Sequence, residues 1–215
     1  LYAKDLSRRG FAVVCFNYVL APRKKFPYQL ESIDQVLSWV KGHAEEYGFD
    51  LSNVFMVGDS AGANLCVQYE AAQHNPVYAK YFHMSFSLPI KGLGLNCGTY
   101  QPLGTPYEQE SENFIWDVYL DKKRNPEDPR YDVLTPINHE FPPCYIMTCE
   151  KDFIKSQNPY LLAALDKNKV PYVYEEYKSK EGNKLQHVFH CTVNEEHAIQ
   201  ANDDECDYFK NLLGK

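Results

Sequence analysis

The residues of this 215-residue chain best placed to do chemistry are Gly58-Asp59-Ser60-Ala61-Gly62. A serine between two glycines, each two positions away, suits a nucleophile only where the chain turns sharply from a strand into a helix. Both flanks carry that signal. Val54-Phe-Met-Val57 is a short apolar run, and Ala61 to His74 has helical composition and stops before Pro76. Such a turn lifts the Ser60 hydroxyl clear of the sheet edge. It also places the free N–H groups and partial positive charge of a helix N-terminus beside it. The backbone N–H of Ala61 then faces the place where an oxyanion forms during acyl transfer. An activated serine needs a base, and the base an orienting carboxylate. Glu150 and Asp152 follow the apolar run Cys144–Cys149, and His187 and His190 follow the alternating run Val173–Tyr177. The other histidines, His43, His74, His83, His139 and His197, read as surface residues.

These groups need a scaffold, and apolar runs of strand length alternate with helical patterns along the chain. Phe11–Tyr18, Val54–Val57, Ile90–Asn96, Cys144–Cys149 and Val173–Tyr177 are expected as strands. Leu30, Ile33, Leu37 and Val40 recur at helical spacing after Pro27, and helices are also expected over Ala61–His74, Ser156–Asn168 and Glu195–Leu213. The alternation predicts one α/β domain over 1–215: a mostly parallel sheet with helices on both faces. Residues 99–140 break the rhythm with many Pro, Tyr and Asp and one helical stretch, Glu112–Leu120; they are expected to form a lid-like insertion. Their tyrosines serve either packing or a pocket.

The segment Tyr47–Leu65, with Gly-Asp-Ser-Ala-Gly at its centre, resembles the corresponding region of α/β-hydrolase esterases and lipases of the hormone-sensitive-lipase-like group. Asn17–Pro22, Phe26-Pro27 and Phe141–Pro143 resemble the same group, so the likeness spans nearly the whole chain. The resemblance implies the α/β-hydrolase fold, a serine carboxylic-ester hydrolase and short-chain acyl esters. It implies Asp152 as the acid and His187 as the base, with Val188 where that group usually has Gly. It also implies a His-Gly-Gly-Gly type loop upstream that supplies the rest of the oxyanion hole. No such run occurs here, and none of the three methionines can be an initiator, so the sequence reads as part of a longer protein lacking its first sheet strands.

Composition narrows the remaining classes. The net charge of −7 argues against nucleic acid as the main partner, and no apolar run approaches the length of a membrane span. Seven cysteines cannot all pair; lying mostly in apolar runs, they read as buried free thiols of a reducing, cytoplasmic setting, and no signal-peptide pattern opens the sequence as given. No cofactor or metal is expected. Zinc on His187, His190 and Cys191, or on Cys144 and Cys149, lacks the two close ligand pairs of a structural site. The expected partner is a small-molecule ester; a homodimer stays open. Two rival readings remain, a serine peptidase of the acyl-peptide hydrolase type and a non-catalytic ligand-binding relative.

Overall fold

The computed structural model of the protein describes residues 1–100, 116–120, 125, 127–180, 182 and 184–214. Its centre is a four-stranded, all-parallel sheet in sequence order: β1 (Phe55–Asp59), β2 (Gly92–Asn96), β3 (Cys144–Cys149) and β4 (Tyr172–Tyr177). Parallel neighbours need crossovers. The helices with both ends among the described residues are α1 (Tyr2–Arg8), α2 (Tyr28–Gly42), α3 (Ala44–Tyr47), α4 (Ala61–His74), α5 (Pro76–Ala79), α6 (Asn158–Asn168) and α7 (Glu196–Leu212).

Strand alternation sorts the core into two faces. Cys144 and Ile146 of β3, with Leu93 and Leu95 of β2, join the cluster that α2, α4 and α6 bury. Tyr145, Met147 and Cys149 point the other way, into a second cluster with Phe189 and Ala201. Helix α2 follows the spacing read in the sequence: Leu30, Ile33, Leu37 and Val40 are all buried. Each such side chain contributes about 1.5–3 kcal/mol by leaving water. On the opposite face, Gly94 of β2 lies beneath the Glu205 carboxylate and the Phe209 ring of α7, and a methyl group at Gly94 would overlap the carboxylate. Arg9, just past α1, binds Asp203 of α7 at 2.7 Å and so fastens the first helix to the last.

Four of the five expected strands form. Phe11–Tyr18 does not: it makes no ladder hydrogen bonds among the described residues, and Val13, Val14 and Phe16 stand partly in water. Composition can favour extended backbone, but a strand exists only where another strand pairs with it. Cys15 is exposed for the same reason and Cys191 is partly so; the other five cysteines are buried and all seven are free. Helix α1 carries only two buried residues and was not expected from the pattern.

Part of the lid-like insertion lies outside the described residues, as do 112–115 of the helix expected over Glu112–Leu120, of which 116–119 are helical. Its described parts pack on the core. Gln157 holds Thr99 and Tyr100, the latter buried, and Val133, Leu134 and Ile137 join the main cluster. Tyr119 and Tyr131 set their rings edge-on against Phe26 and also line a small cavity with Asn64 and Gln68 of α4.

Candidate active site

Every residue singled out for chemistry lies beyond the C-terminal end of a parallel strand, where open α/β sheets bind their ligands. Ser60 follows β1 directly and precedes α4, with φ 55° and ψ −117°. A non-glycine residue rarely adopts that conformation, and it persists where surrounding structure imposes it. The constraint is visible on both sides: the Ser60 N–H donates to the Asn96 carbonyl at 2.9 Å, and the Ser60 carbonyl accepts from the Thr99 N–H at 3.4 Å. The turn is tight enough that a side chain at 58 would overlap the Gly62 carbonyl and lie 2.8 Å from the Ala63 nitrogen. The two motif glycines differ, however, because a methyl group at Gly62 would meet open space. Ala61 opens α4, so its N–H has no partner within the helix and is available to an anion.

Asp152 lies three residues beyond β3, in a turn closed by its own N–H to the Cys149 carbonyl. It is 3% exposed and accepts three hydrogen bonds. Thr148 Oγ1 donates at 2.7 Å, the Ile154 N–H at 3.2 Å and His187 Nδ1 at 2.7 Å. Burial alone would raise its pKa, but the bonds from His187 and Thr148 hold the carboxyl below the usual range, so it is ionised at neutral pH. His187 sits on the loop after β4, partly exposed, with the Phe153 ring centred 4.6 Å from its own. With Nδ1 committed to Asp152, its Nε2 is the nitrogen left to exchange a proton with substrate or nucleophile. No hydrogen bond joins Ser60 to His187 among the described residues; such contacts in unliganded sites commonly tighten only when substrate binds.

Glu150 has a different task from Asp152. It lies just past the end of β3 rather than within it, and its Oε1 accepts from Ser179 Oγ at 2.7 Å, the Lys184 N–H at 2.7 Å and the Leu185 N–H at 3.1 Å. It therefore organises the loop that delivers His187. A carboxylate ringed by backbone donors from a distant loop leaves no local sequence signal. His190 is fully buried and turned away from Asp152, with Nε2 3.9 Å from Asp59. Asp59 occupies one of the two variable positions of the motif, and the sequence pattern assigns it no chemical role of its own.

Among the described residues, two sets of side chains bring three potential metal-ligand atoms within 4.8 Å of one another: Asp59, His190 and Cys191, and Cys97, Asp152 and His187. In the second set the 2.7 Å His187–Asp152 contact is a direct hydrogen bond, shorter than the ~3.3 Å that separates two ligands of one tetrahedral ion with bonds near 2.0 Å. No helix of the described residues is long and apolar enough to cross a membrane.

A family model described as alpha/beta hydrolase fold matches residues 3–190. A protein of Acanthamoeba polyphaga mimivirus named as an alpha/beta hydrolase is 24% identical over 160 residues, 71% of this chain and 45% of its own length. An acetyl esterase of Salmonella choleraesuis is 26% identical over 174 residues, 78% of this chain and 54% of the relative. The chain thus spans about half the length of the curated relatives it matches. Among solved structures, esterase B of Lactobacillus rhamnosis inhibited by a C4-C4 tributyrin phosphonate has a TM-score of 0.87 at 24% identity, covering 98% of this chain and 69% of that one. An esterase of Pyrobaculum calidifontis has a TM-score of 0.78 at 21% identity, covering 100% and 70%. At these identities the likeness of structures speaks for the fold.

Proposed function

Because the chain belongs to the α/β-hydrolase fold family, we propose that it is the core of a serine carboxylic-ester hydrolase with Ser60 as nucleophile, His187 as base and Asp152 as acid. The observation that carries this reading is the half-buried 2.7 Å bond from His187 Nδ1 to Asp152, formed at the same end of the sheet as the strained serine turn. Ser60 Oγ attacks the acyl carbonyl carbon while His187 Nε2 takes its proton. The Ala61 N–H stabilises the oxyanion. His187 then gives its proton to the leaving alkoxide, and the acyl group stays on Ser60. Water, deprotonated by His187, attacks the acyl-enzyme; as the acyl–oxygen bond to Ser60 breaks, His187 returns the proton to Ser60 Oγ and the carboxylic acid leaves. Asp152 holds the His187 ring in place and stabilises the imidazolium; it keeps no proton itself. No cofactor enters this cycle.

Short-chain acyl esters are the proposed substrates. The acetyl esterase among the relatives and the butyryl-type inhibitor held by a structural neighbour support that choice. We further propose that 99–140 acts as a lid over the acyl site. An oxyanion hole takes a further donor beside the Ala61 N–H, and one such donor accounts for about 10²–10³ in turnover.

The intact protein is treated with a fluorophosphonate and weighed by mass spectrometry, with Ser60→Ala as control. One adduct that disappears in Ser60→Ala, together with cleavage of p-nitrophenyl butyrate, is the expected result. No adduct on the intact protein overturns the hydrolase and leaves a ligand-binding relative. Faster cleavage of an N-acyl-peptide amide than of the ester replaces the esterase by a peptidase.

A further inference from the structure

The proposed mechanism leaves a buried polar cluster on the α7 face of the sheet without a task. His190 lies at its centre, three residues after His187 and without solvent exposure. Its ring Nε2 points to Asp59 Oδ1 at 3.9 Å, with Cys191 Sγ 3.5 Å from the same nitrogen. Tyr2 of α1 stands edge-on to the ring, with centroids 4.8 Å apart. The Asn202 amide of α7 donates to the His190 carbonyl at 3.2 Å and to Asp5 at 2.9 Å, so the backbone is held as well as the ring. The Tyr2 hydroxyl donates to the buried Glu205 and accepts from Asn96 at 3.1 Å. Asn96 is also the residue whose carbonyl receives the Ser60 N–H. Burial disfavours charge on His190, but Asp59, Cys191 and Glu205 together push its pKa up to about 9.

Ser60 and His187 are carried by β1 and β4, the two outer strands of the described sheet, with β2 and β3 between them. They share no hydrogen bond, so their relative placement must come from elsewhere. Asp59 adjoins the nucleophile and His190 shares the loop of the base. We propose that His190 is a positioning residue for the reaction: through Asp59 it ties the turn that carries Ser60 to the loop that carries His187. The tie rests on the hydrolase reading above only for its effect on rate; the contact between the two loops stands without it. An error of about 1 Å between nucleophile and base costs on the order of 10² in rate.

The test uses His190→Gln, Asp59→Asn and the double variant in the intact protein. It has two readouts: kcat and KM for p-nitrophenyl butyrate, and amide hydrogen exchange over 59–62 and 186–191. Each single variant is expected to lower kcat ~10–100-fold with KM within ~3-fold. The double variant should be no slower than the worse single one, because both break the same tie. Asp59→Asn should speed exchange at 186–191, and His190→Gln at 59–62, each on the loop that does not carry the substitution. Multiplying losses in the double variant, or unchanged exchange on the opposite loop, overturns the proposal. Should His190→Gln fail to fold, Asp59→Asn carries the test, since that side chain is 42% exposed. An intact wild-type protein that cleaves no ester and takes no fluorophosphonate overturns the hydrolase, and exchange on the opposite loops then decides the tie by itself.

Discussion

His187 Nδ1 stands 2.7 Å from Asp152 Oδ1, across 35 residues of sequence, and Thr148 holds the other oxygen of the same carboxylate at 2.7 Å. Asp152→Asn keeps the size of the group but removes the charge and can present an N–H to His187, favouring the wrong tautomer. Turnover should fall by about 10³–10⁴ with KM little changed, as read by steady-state kinetics. The folded pKa of Asp152 lies below its ordinary value, through His187 and Thr148 against burial. The stabilisation is therefore fully present above the unfolded carboxylate pKa near ~4 and disappears as pH falls through the lower folded value. Acid unfolding monitored by circular dichroism should show a smaller loss over that range in Asp152→Asn than in the wild type.

Ser60 holds positive φ that its Cβ resists. Ser60→Gly should abolish ester hydrolysis yet raise stability by about 1 kcal/mol, because glycine adopts this backbone without the steric cost. Urea denaturation checks it. A destabilised Ser60→Gly would mean that the turn is not strained.

The two motif glycines should respond differently to alanine. Gly58→Ala forces a methyl group against the backbone of Gly62 and Ala63 and should cost more than about 2 kcal/mol or prevent folding. Gly62→Ala meets no atom and lies in the first turn of α4, where alanine is the better helix former, so its melting temperature should hold or rise. Thermal unfolding of the two variants decides between this and an equal need for both glycines.

His190 predicts a loss of stability on the alkaline side. Its folded pKa, about 9, exceeds the ~6.5 of an unfolded histidine. A raised pKa contributes stability that is complete below ~6.5 and is lost as pH rises through about 9, on the order of 3 kcal/mol for a side chain this buried. The groups facing it are Asp59 at the end of β1, Cys191 on its own loop, Tyr2 on α1 and Glu205 on α7, whose own pKa burial raises. The stability gap between wild type and His190→Gln should shrink from pH 6.5 to 9 in denaturant titrations. The same comparison in a Glu205→Gln background separates the share of that carboxylate. A gap independent of pH would mean that His190 is neutral in the fold.

The alternation of apolar strands and amphipathic helices, and the turn at Ser60, were legible in the sequence because both are local. Side-chain period, helix-stop residues and the Gly58-x-Ser60 pattern act within a few neighbouring residues. Asp152 and His187 needed the resemblance as well, since Glu150 and His190 offer the same chemistry nearby; burial and hydrogen bonding then place Asp152 against His187, Glu150 against Ser179, Lys184 and Leu185, and His190 against Asp59. Phe11–Tyr18 shows the opposite case, where strand-like residues make no strand because no partner pairs with them among the described residues. Only the tertiary structure decides such matters. A ladder partner, a buried carboxylate over Gly94 or a histidine reaching across from another loop depends on which distant segments meet, and residue order within one segment carries no information about its neighbours in space.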